Sequence, residues 1–302
     1  MRLLNFATFN VRGLRKIFNN EGSPTGTDLT NIITDLKKHN IDAAAIQETH
    51  YKEAEILQKE PGYTCYFVNE ENNRHHGTGI LVKDSLNPIF TKISGRVCTA
   101  RFQLTPQKEV LFICGYAPHE TLSNQLPEER ELFYAHLQKA LKQRKCNTIP
   151  IIALDANAQT TYVNQDFPSN ILGKFTKGNK TNNNGMKLLQ FANENEMSIT
   201  NTMFQHKMSR RTTWTAPFRA YTINGQPRKN PIHNQIDYIL IDRNYSRFVT
   251  NARSYNNTTT TSDHNLVIMN FRAEFSKINR PKTDKPTPID TANFRNKKLN
   301  EE

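Results

Sequence analysis

Gln235-Ile-Asp-Tyr-Ile-Leu-Ile-Asp242, followed further along by Thr261-Ser-Asp-His264, decides how the rest of the chain is read. In the first stretch Ile236, Tyr238 and Leu240 alternate with Asp237, Ile239 and Ile241, the pattern of a buried strand with one carboxylate on a face that should be apolar. A charge taken out of water needs a partner. His264, just ahead of the apolar run Leu266-Val-Ile-Met-Asn-Phe271, is the natural candidate. A carboxylate that accepts from one imidazole nitrogen holds the ring still and leaves the other nitrogen free to work. A surface Asp on an edge strand and a loop-capping Ser-Asp pair explain the same letters equally well. What lies upstream decides between these readings.

Leu3 to Val11 reads as a strand that ends in Asn10-Val-Arg-Gly13, where Gly13 lets the chain turn sharply. A helix follows with Leu29, Ile32, Ile33 and Leu36 on one face, and then Asp42-Ala-Ala-Ala-Ile-Gln-Glu48 forms a small-residue strand that delivers Glu48. Strand, helix and strand in this order predict neighbouring strands, with Asn10 and Glu48 leaving the same sheet edge. Short β runs at Tyr63 to Val68, Thr78 to Val82, Val97 to Leu104 and Val110 to Tyr116 predict antiparallel pairing. Pro127 opens a helix whose apolar face is expected to be Leu132, Phe133, Leu137, Ala140 and Leu141. Thr148 to Asp155 is nearly all apolar and reads as a central strand, with Asp155-Ala-Asn157 running on into a long polar loop. A short helix carrying Met186, Leu188, Leu189, Phe191 and Ala192, then a strand near Ser198 to Thr202, complete the middle of the chain.

The 302 residues suffice for one large domain over 1–275, with 276–302, rich in Lys, Pro, Thr and Asn, expected to be a disordered basic tail. A net charge of +12 and a pI near 9.5 favour a polyanionic partner, nucleic acid before an acidic membrane surface, although excess lysine also serves solubility. From Lys207 to Gln235 there are six lysines and arginines and no acidic residue, and Asn224-Gly225 inside that stretch signals a tight turn. A basic hairpin standing off the domain is the expectation, with a solvated hairpin without a ligand as the plain alternative. No run approaches the roughly eighteen apolar residues of a membrane span. The start is too short in apolar residues for a signal peptide, and the protein is expected to be intracellular. Cys65, Cys98, Cys114 and Cys146 are widely spaced without a C-x-x-C pair, which points to reduced thiols and away from structural zinc.

Collected, the polar residues at strand ends are Asn10, Glu48, Tyr116, Asp155, Asn157, Asp237, Asp263 and His264. They make a hard oxygen site suited to Mg²⁺, with a histidine and two neutral donors beside it, the equipment for hydrolysing a phosphodiester. Asn10-Val-Arg-Gly-Leu, Ile46-Gln-Glu-Thr, Gly115-Tyr-Ala-Pro, Leu154-Asp-Ala-Asn-Ala, Gln235-Ile-Asp-Tyr-Ile-Leu and Ser262-Asp-His, in that order, resemble the endonuclease/exonuclease/phosphatase superfamily over roughly residues 3 to 272. Gln47-Glu-Thr-His50, Arg211-Thr-Thr-Trp214 and Asn234 to Leu240 are most similar to the endonuclease domains of LINE-type (non-LTR) retrotransposons. Leu154, Ala156, Thr261 and Arg12 depart from residues common at those positions.

The resemblance implies an α+β, four-layer sandwich of two mostly antiparallel sheets packed face to face with helices outside. It implies that Glu48, helped by Asn10 and with Asp263 in the surroundings, holds Mg²⁺, for which Mn²⁺ could substitute. Asp155 would then accept a proton from the attacking water that Asn157 positions, Asp237 would orient His264 against a phosphate oxygen, and Tyr116 would donate to the phosphate or the leaving oxygen. The implied activity is a nick in duplex DNA with 3′-hydroxyl and 5′-phosphate ends, used to prime reverse transcription. Implied partners are double-stranded DNA, through Arg210, Arg211, Arg219, Arg228 and Lys229, and a reverse transcriptase domain in the same polyprotein, with the domain itself a monomer acting in the nucleus. The rival readings are a repair endonuclease or phosphatase of the same superfamily and a non-catalytic DNA-binding module.

Overall fold

The computed structural model describes residues 2–14, 16–18, 24–70, 76–162, 167–216, 222–223, 226–227 and 232–273. In chain order the sheet strands are β1 (Arg2–Asn10), β2 (Ala43–Gln47), β3 (Glu55–Glu60), β4 (Tyr63–Val68), β5 (Thr78–Lys83), β6 (Ile89–Ser94) and β7 (Val97–Thr105). They continue as β8 (Lys108–Tyr116), β9 (Thr148–Asp155), β10 (Met197–Ile199), β11 (Asp237–Asp242), β12 (Val249–Tyr255) and β13 (Leu266–Ala273). The helices are α1 (Asp28–Lys38), α2 (Glu120–Gln125), α3 (Pro127–Leu141) and α4 (Asn183–Glu194). Seven strands make one sheet in the order β12-β13-β1-β2-β5-β4-β3, and six make the other in the order β10-β11-β9-β8-β7-β6. Each sheet has one parallel pair, β1 with β2 and β8 with β9, and the intervening chain carries α1 and α3 across one face as parallel pairing requires.

Alternation along the strands sorts the apolar side chains into layers. In β1, Leu4 and Phe6 face the core between the sheets while Ala7 and Phe9 pack with Leu29, Ile32 and Leu36 of α1. In β9, Ile149, Ile151 and Ala153 face the same inner core while Ile152 and Leu154 meet Phe133, Leu137 and Leu188 of α3 and α4. The result is helix, sheet, sheet, helix, the expected four-layer α+β sandwich.

Local differences from the expectations have plain causes. Leu132 lies off the buried stripe of α3 and is 52% exposed, and Tyr134 takes its place inside. Met186 is likewise on the outer side of α4 at 38% exposure. The polar run Glu55–Glu60 forms an edge strand that sequence patterning missed, because an edge needs no apolar face and charges there deter further pairing. Residues 276–302, expected as a tail, lie outside the described residues.

Candidate active site

The same alternation that builds the inner core carries polar groups to one rim of it. Continuing by twos from Leu4 and Phe6 reaches Asn10, from Val110, Phe112 and Cys114 reaches Tyr116, and from Ile149, Ile151 and Ala153 reaches Asp155. Asp237 shares the parity of Ile239 and Ile241 and opens β11, which runs antiparallel to β9 and pairs Asp155 with Asp237. Tyr116 pairs with Asp155 across β8 and β9. Four strand ends therefore deliver four polar side chains to the same end of the inter-sheet gap.

Glu48 gets there differently. Strict alternation would send it to the outer face with Ala44 and Ile46, but its backbone leaves the strand in the left-handed region at φ 53°. The loop after β1 is stitched to this segment by Val11 N–H to Gln47 O (3.0 Å), Gly13 N–H to Glu48 O (2.6 Å) and Leu14 N–H to Thr49 O (3.0 Å). Gly13 is required there: its φ is +100° and a Cβ would lie 2.7 Å from His50 Nδ1.

The side chains then lock together. Asn10 Nδ2 donates to Glu48 Oε1 and to Asp155 Oδ2, both at 2.9 Å, and its Oδ1 accepts from Arg12 N–H at 3.0 Å. Asn10, expected beside a metal, thus bridges two carboxylates through its nitrogen. Tyr116 Oη donates to Glu48 Oε1 at 2.9 Å. Asp155 Oδ1 accepts from Asn157 N–H at 2.9 Å, and Asn157, left-handed at φ 46°, donates its amide to Ala117 O at 3.0 Å. His264 Nδ1 lies 3.1 and 3.0 Å from the two oxygens of Asp237, and its Nε2 is 4.0 Å from Asp155 Oδ2.

Electrostatics separates these groups. Burial pushes Glu48 up, but the His50 imidazole lying against it and hydrogen bonds from Asn10 and Tyr116 prevail and hold it at about 2. Burial and the charge of Asp237 push Asp155 up to about 7, against His264 and the bonds from Asn10 and Asn157. Burial acts to lower His264, yet the charge and hydrogen bond of Asp237, with Asp155 and Asp263 behind them, raise it to about 9. Burial and the charges of Glu48 and Asp155 keep the Tyr116 phenol protonated throughout the ordinary pH range.

These residues open on a cleft of about 710 Å³ whose lining includes Glu48, Tyr116, Asn157 and His264, with Arg12, Trp214 and Asp263 on its wall. Asp155, Asp237 and His264 each offer a ligand atom within 4.8 Å of the others, near enough for one divalent ion. That trio is already committed internally, and a protonated imidazole has no lone pair to give. Glu48 fits a hard cation better: it is ionised, it faces the cleft, and its Oε2 has His50 Nε2 only at 3.6 Å, too long for a hydrogen bond.

Several supports escaped the sequence reading. Thr213 Oγ1 accepts from the backbone N–H of Ile236 (2.9 Å) and Asp237 (3.1 Å), fixing the start of β11. Ser262 Oγ donates to Asn10 O (2.7 Å) and accepts from His264 N–H (3.1 Å), tying the turn before β13 to the end of β1. Trp214 Nε1 donates to Asp263 Oδ2 at 3.2 Å. All three lie within runs quoted above, but a hydroxyl aimed at a backbone amide leaves no periodic trace.

The proposed nucleic-acid contacts fare unevenly. Arg210 is exposed, and Arg211 donates to His206 O at 2.8 Å and lies 5.2 Å from the Phe175 ring; neither is among the described residues lining the cleft. Arg219, Arg228 and Lys229 lie outside the described residues. The ribbon itself is visible where described: Trp214–Thr215 pairs with His233–Asn234, and Ile223 pairs with Gln226 on either side of Asn224-Gly225. No described helix is long and apolar enough to cross a membrane.

Residues 7–264 match the Endonuclease/Exonuclease/phosphatase family. Over 284 residues the chain is 28% identical to craniofacial development protein 2 of Bos taurus, covering 92% of this chain and 42% of that protein. The chain therefore spans less than half the length of that curated relative. The endonuclease domain of TRAS1, a telomere-specific non-LTR retrotransposon, superposes with a TM-score of 0.58 at 13% identity, covering 90% of this chain and 100% of that one. The AP endonuclease LMAP from Leishmania major gives a TM-score of 0.61 at 17% identity, covering 90% of this chain and 89% of that one.

Proposed function

Because the chain belongs to the endonuclease/exonuclease/phosphatase family, we propose that it is a metal-dependent endonuclease that nicks duplex DNA, leaving a 3′-hydroxyl and a 5′-phosphate. The observation that carries this reading is the cluster at one cleft in which Asn10 bridges the Glu48 and Asp155 carboxylates while Asp237 holds His264 with its Nε2 4.0 Å from Asp155.

Glu48 would hold Mg²⁺, or Mn²⁺ in its place, and the ion would supply positive charge against a phosphate oxygen. Asp155, its pKa raised by burial and by the charge of Asp237, is a stronger base than an ordinary carboxylate and takes the proton of the attacking water. Asn157, held in a left-handed turn beside it, positions that water. His264, with Nδ1 engaged by Asp237, presents Nε2–H to a non-bridging oxygen, where its charge offsets the negative charge that develops on the phosphoryl oxygens. Tyr116, protonated, donates toward the phosphate or the leaving 3′-oxygen.

Duplex DNA as substrate is supported by the net charge of +12 and by the basic ribbon that leads directly into β11. Likeness to a retrotransposon endonuclease domain supports a role in priming reverse transcription in the nucleus, by a reverse transcriptase domain of the same polyprotein. Likeness to an AP endonuclease supports a repair enzyme as the second reading.

The test is to incubate the purified chain with supercoiled plasmid and Mg²⁺ and to map the ends. Nicks with an extendable 3′-hydroxyl, lost in His264→Ala while DNA binding survives, are expected. A strong preference for abasic duplex would favour the repair reading, and hydrolysis of RNA or small phosphate esters alone would refute both.

A further inference from the structure

Five carboxylates stand at the cleft, and each accepts at least one hydrogen bond. Glu120 accepts from the backbone N–H of Asn183 (3.2 Å) and Asn184 (3.1 Å) at the start of α4. Asp237 is held by His264, and Asp155 by Asn10 and Asn157. Asp263, 15% exposed, accepts at one oxygen from Trp214 Nε1 at 3.2 Å and from Arg12 Nη1 at 3.3 Å. Glu48 keeps Oε2 and Asp263 keeps Oδ1 with no partner inside hydrogen-bond distance among the described residues, but only Asp263 has a guanidinium paired to it, at its other oxygen.

Arg12 is not a chance surface neighbour. It sits in the left-handed region at φ 53°, its N–H is fixed by Asn10 Oδ1, and the next residue is bonded to the backbone of Glu48 itself. The fold therefore places a guanidinium on the cleft wall, within the loop that borders the Glu48 carboxylate and against the carboxylate adjacent in sequence to His264. A transferring phosphoryl group can be held by two cations, by two metal ions or by one ion and an arginine. An arginine that already neutralises the second carboxylate removes the attraction for a second ion, and its remaining N–H groups suit phosphate oxygens.

We infer that Arg12 is the built-in second cation of this cleft: it occupies Asp263, limits the site to one divalent ion at Glu48, and contacts the substrate phosphate. The inference rests on the reading of the cleft as a phosphodiester site.

Counting bound Mn²⁺ by the loss of its free-ion electron paramagnetic resonance signal, in the absence of DNA, tests it. The wild-type chain binds one ion per chain. Arg12→Asp, which the left-handed backbone tolerates because aspartate is enriched there, binds two. Asp263→Asn, which keeps the neighbouring geometry and needs no change at Arg12, still binds one. Two ions on the wild type, one ion on Arg12→Asp, or none on Asp263→Asn each overturn the inference while plasmid nicking leaves the nuclease reading standing. No ion on the wild type, with no nicking, overturns both.

Discussion

At the scale of single residues, the site is a set of opposed pKa shifts produced by burial and partners. The imidazole of His264 should titrate at about 9, observable by NMR of its ring carbons in the metal-free protein. In Asp237→Asn the charge that overrides burial is gone, so the titration should fall below the usual histidine range near 6.5; an unchanged value would remove Asp237 from its orienting role. The linkage has a definite sign. A folded pKa above the unfolded one means that the pair stabilises the protein fully below about pH 6.5 and loses that contribution as pH rises through about 9. Asp155 is the reverse case: a buried carboxylate held up at about 7 is tuned for proton transfer at the expense of stability above its unfolded pKa near 3.8. Asp155→Asn should lower the nicking rate by about 10²–10⁴-fold, the range for loss of a general base, while the melting temperature stays level or rises. A fall in melting temperature together with retained nicking would contradict both halves of that account.

At the scale of elements, strand ends and the turns just after them do the positioning. β1, β8, β9 and β11 each contribute by parity, whereas Glu48 and Asn157 reach the cleft only because left-handed residues break the strand geometry. The ribbon between β10 and β11 is a separate device. Its base closes through the N–H of Ala216 to Ile232 O at 3.0 Å, so the chain ends that flank residues 217–231 already lie side by side. Removing 217–231 should therefore leave the domain folded and the cleft complete. The expected outcome is cleavage spread over more plasmid sites with turnover still measurable, since groove shape and phosphate contacts steer where the cleft lands. Complete loss of hydrolysis in a folded deletion variant, judged by circular dichroism and mapped nicks, would mean that the ribbon belongs to the chemistry.

At the scale of the whole molecule, the rigidity of the rim derives from the apolar layer between the sheets. Phe112 is fully buried there and lies 5.7 Å, ring centre to ring centre, from Phe6 of the opposite sheet. Phe112→Ala should cost about 3–5 kcal/mol of unfolding free energy in a denaturant titration, without shifting the mapped nicks at temperatures where the variant stays folded. A stability change within about 0.5 kcal/mol would mean that the layer repacks freely and does not brace the rim. Much of this architecture was legible beforehand. Short, largely apolar runs marked the central strands, and the six ordered motifs pointed to the superfamily and so to the sandwich; the sheet order and the polar edge strand Glu55–Glu60 were not visible in them. The strand-end residues Asn10, Glu48, Tyr116, Asp155, Asp237 and His264 were readable because a polar side chain at the end of an apolar run is conspicuous locally. What those residues touch was not. That Asn10 bridges two carboxylates with its nitrogen, that Arg12 lies against Asp263, and that Thr213 and Ser262 brace the strands are contacts across tens to hundreds of positions of chain. The sequence by itself determined which faces must be buried and which polar groups end up at their margins, since burial follows periodicity along the backbone. Tertiary structure alone decided which of those groups share a proton or a counter-charge, because such interactions depend on distances between strands that no spacing along the chain encodes.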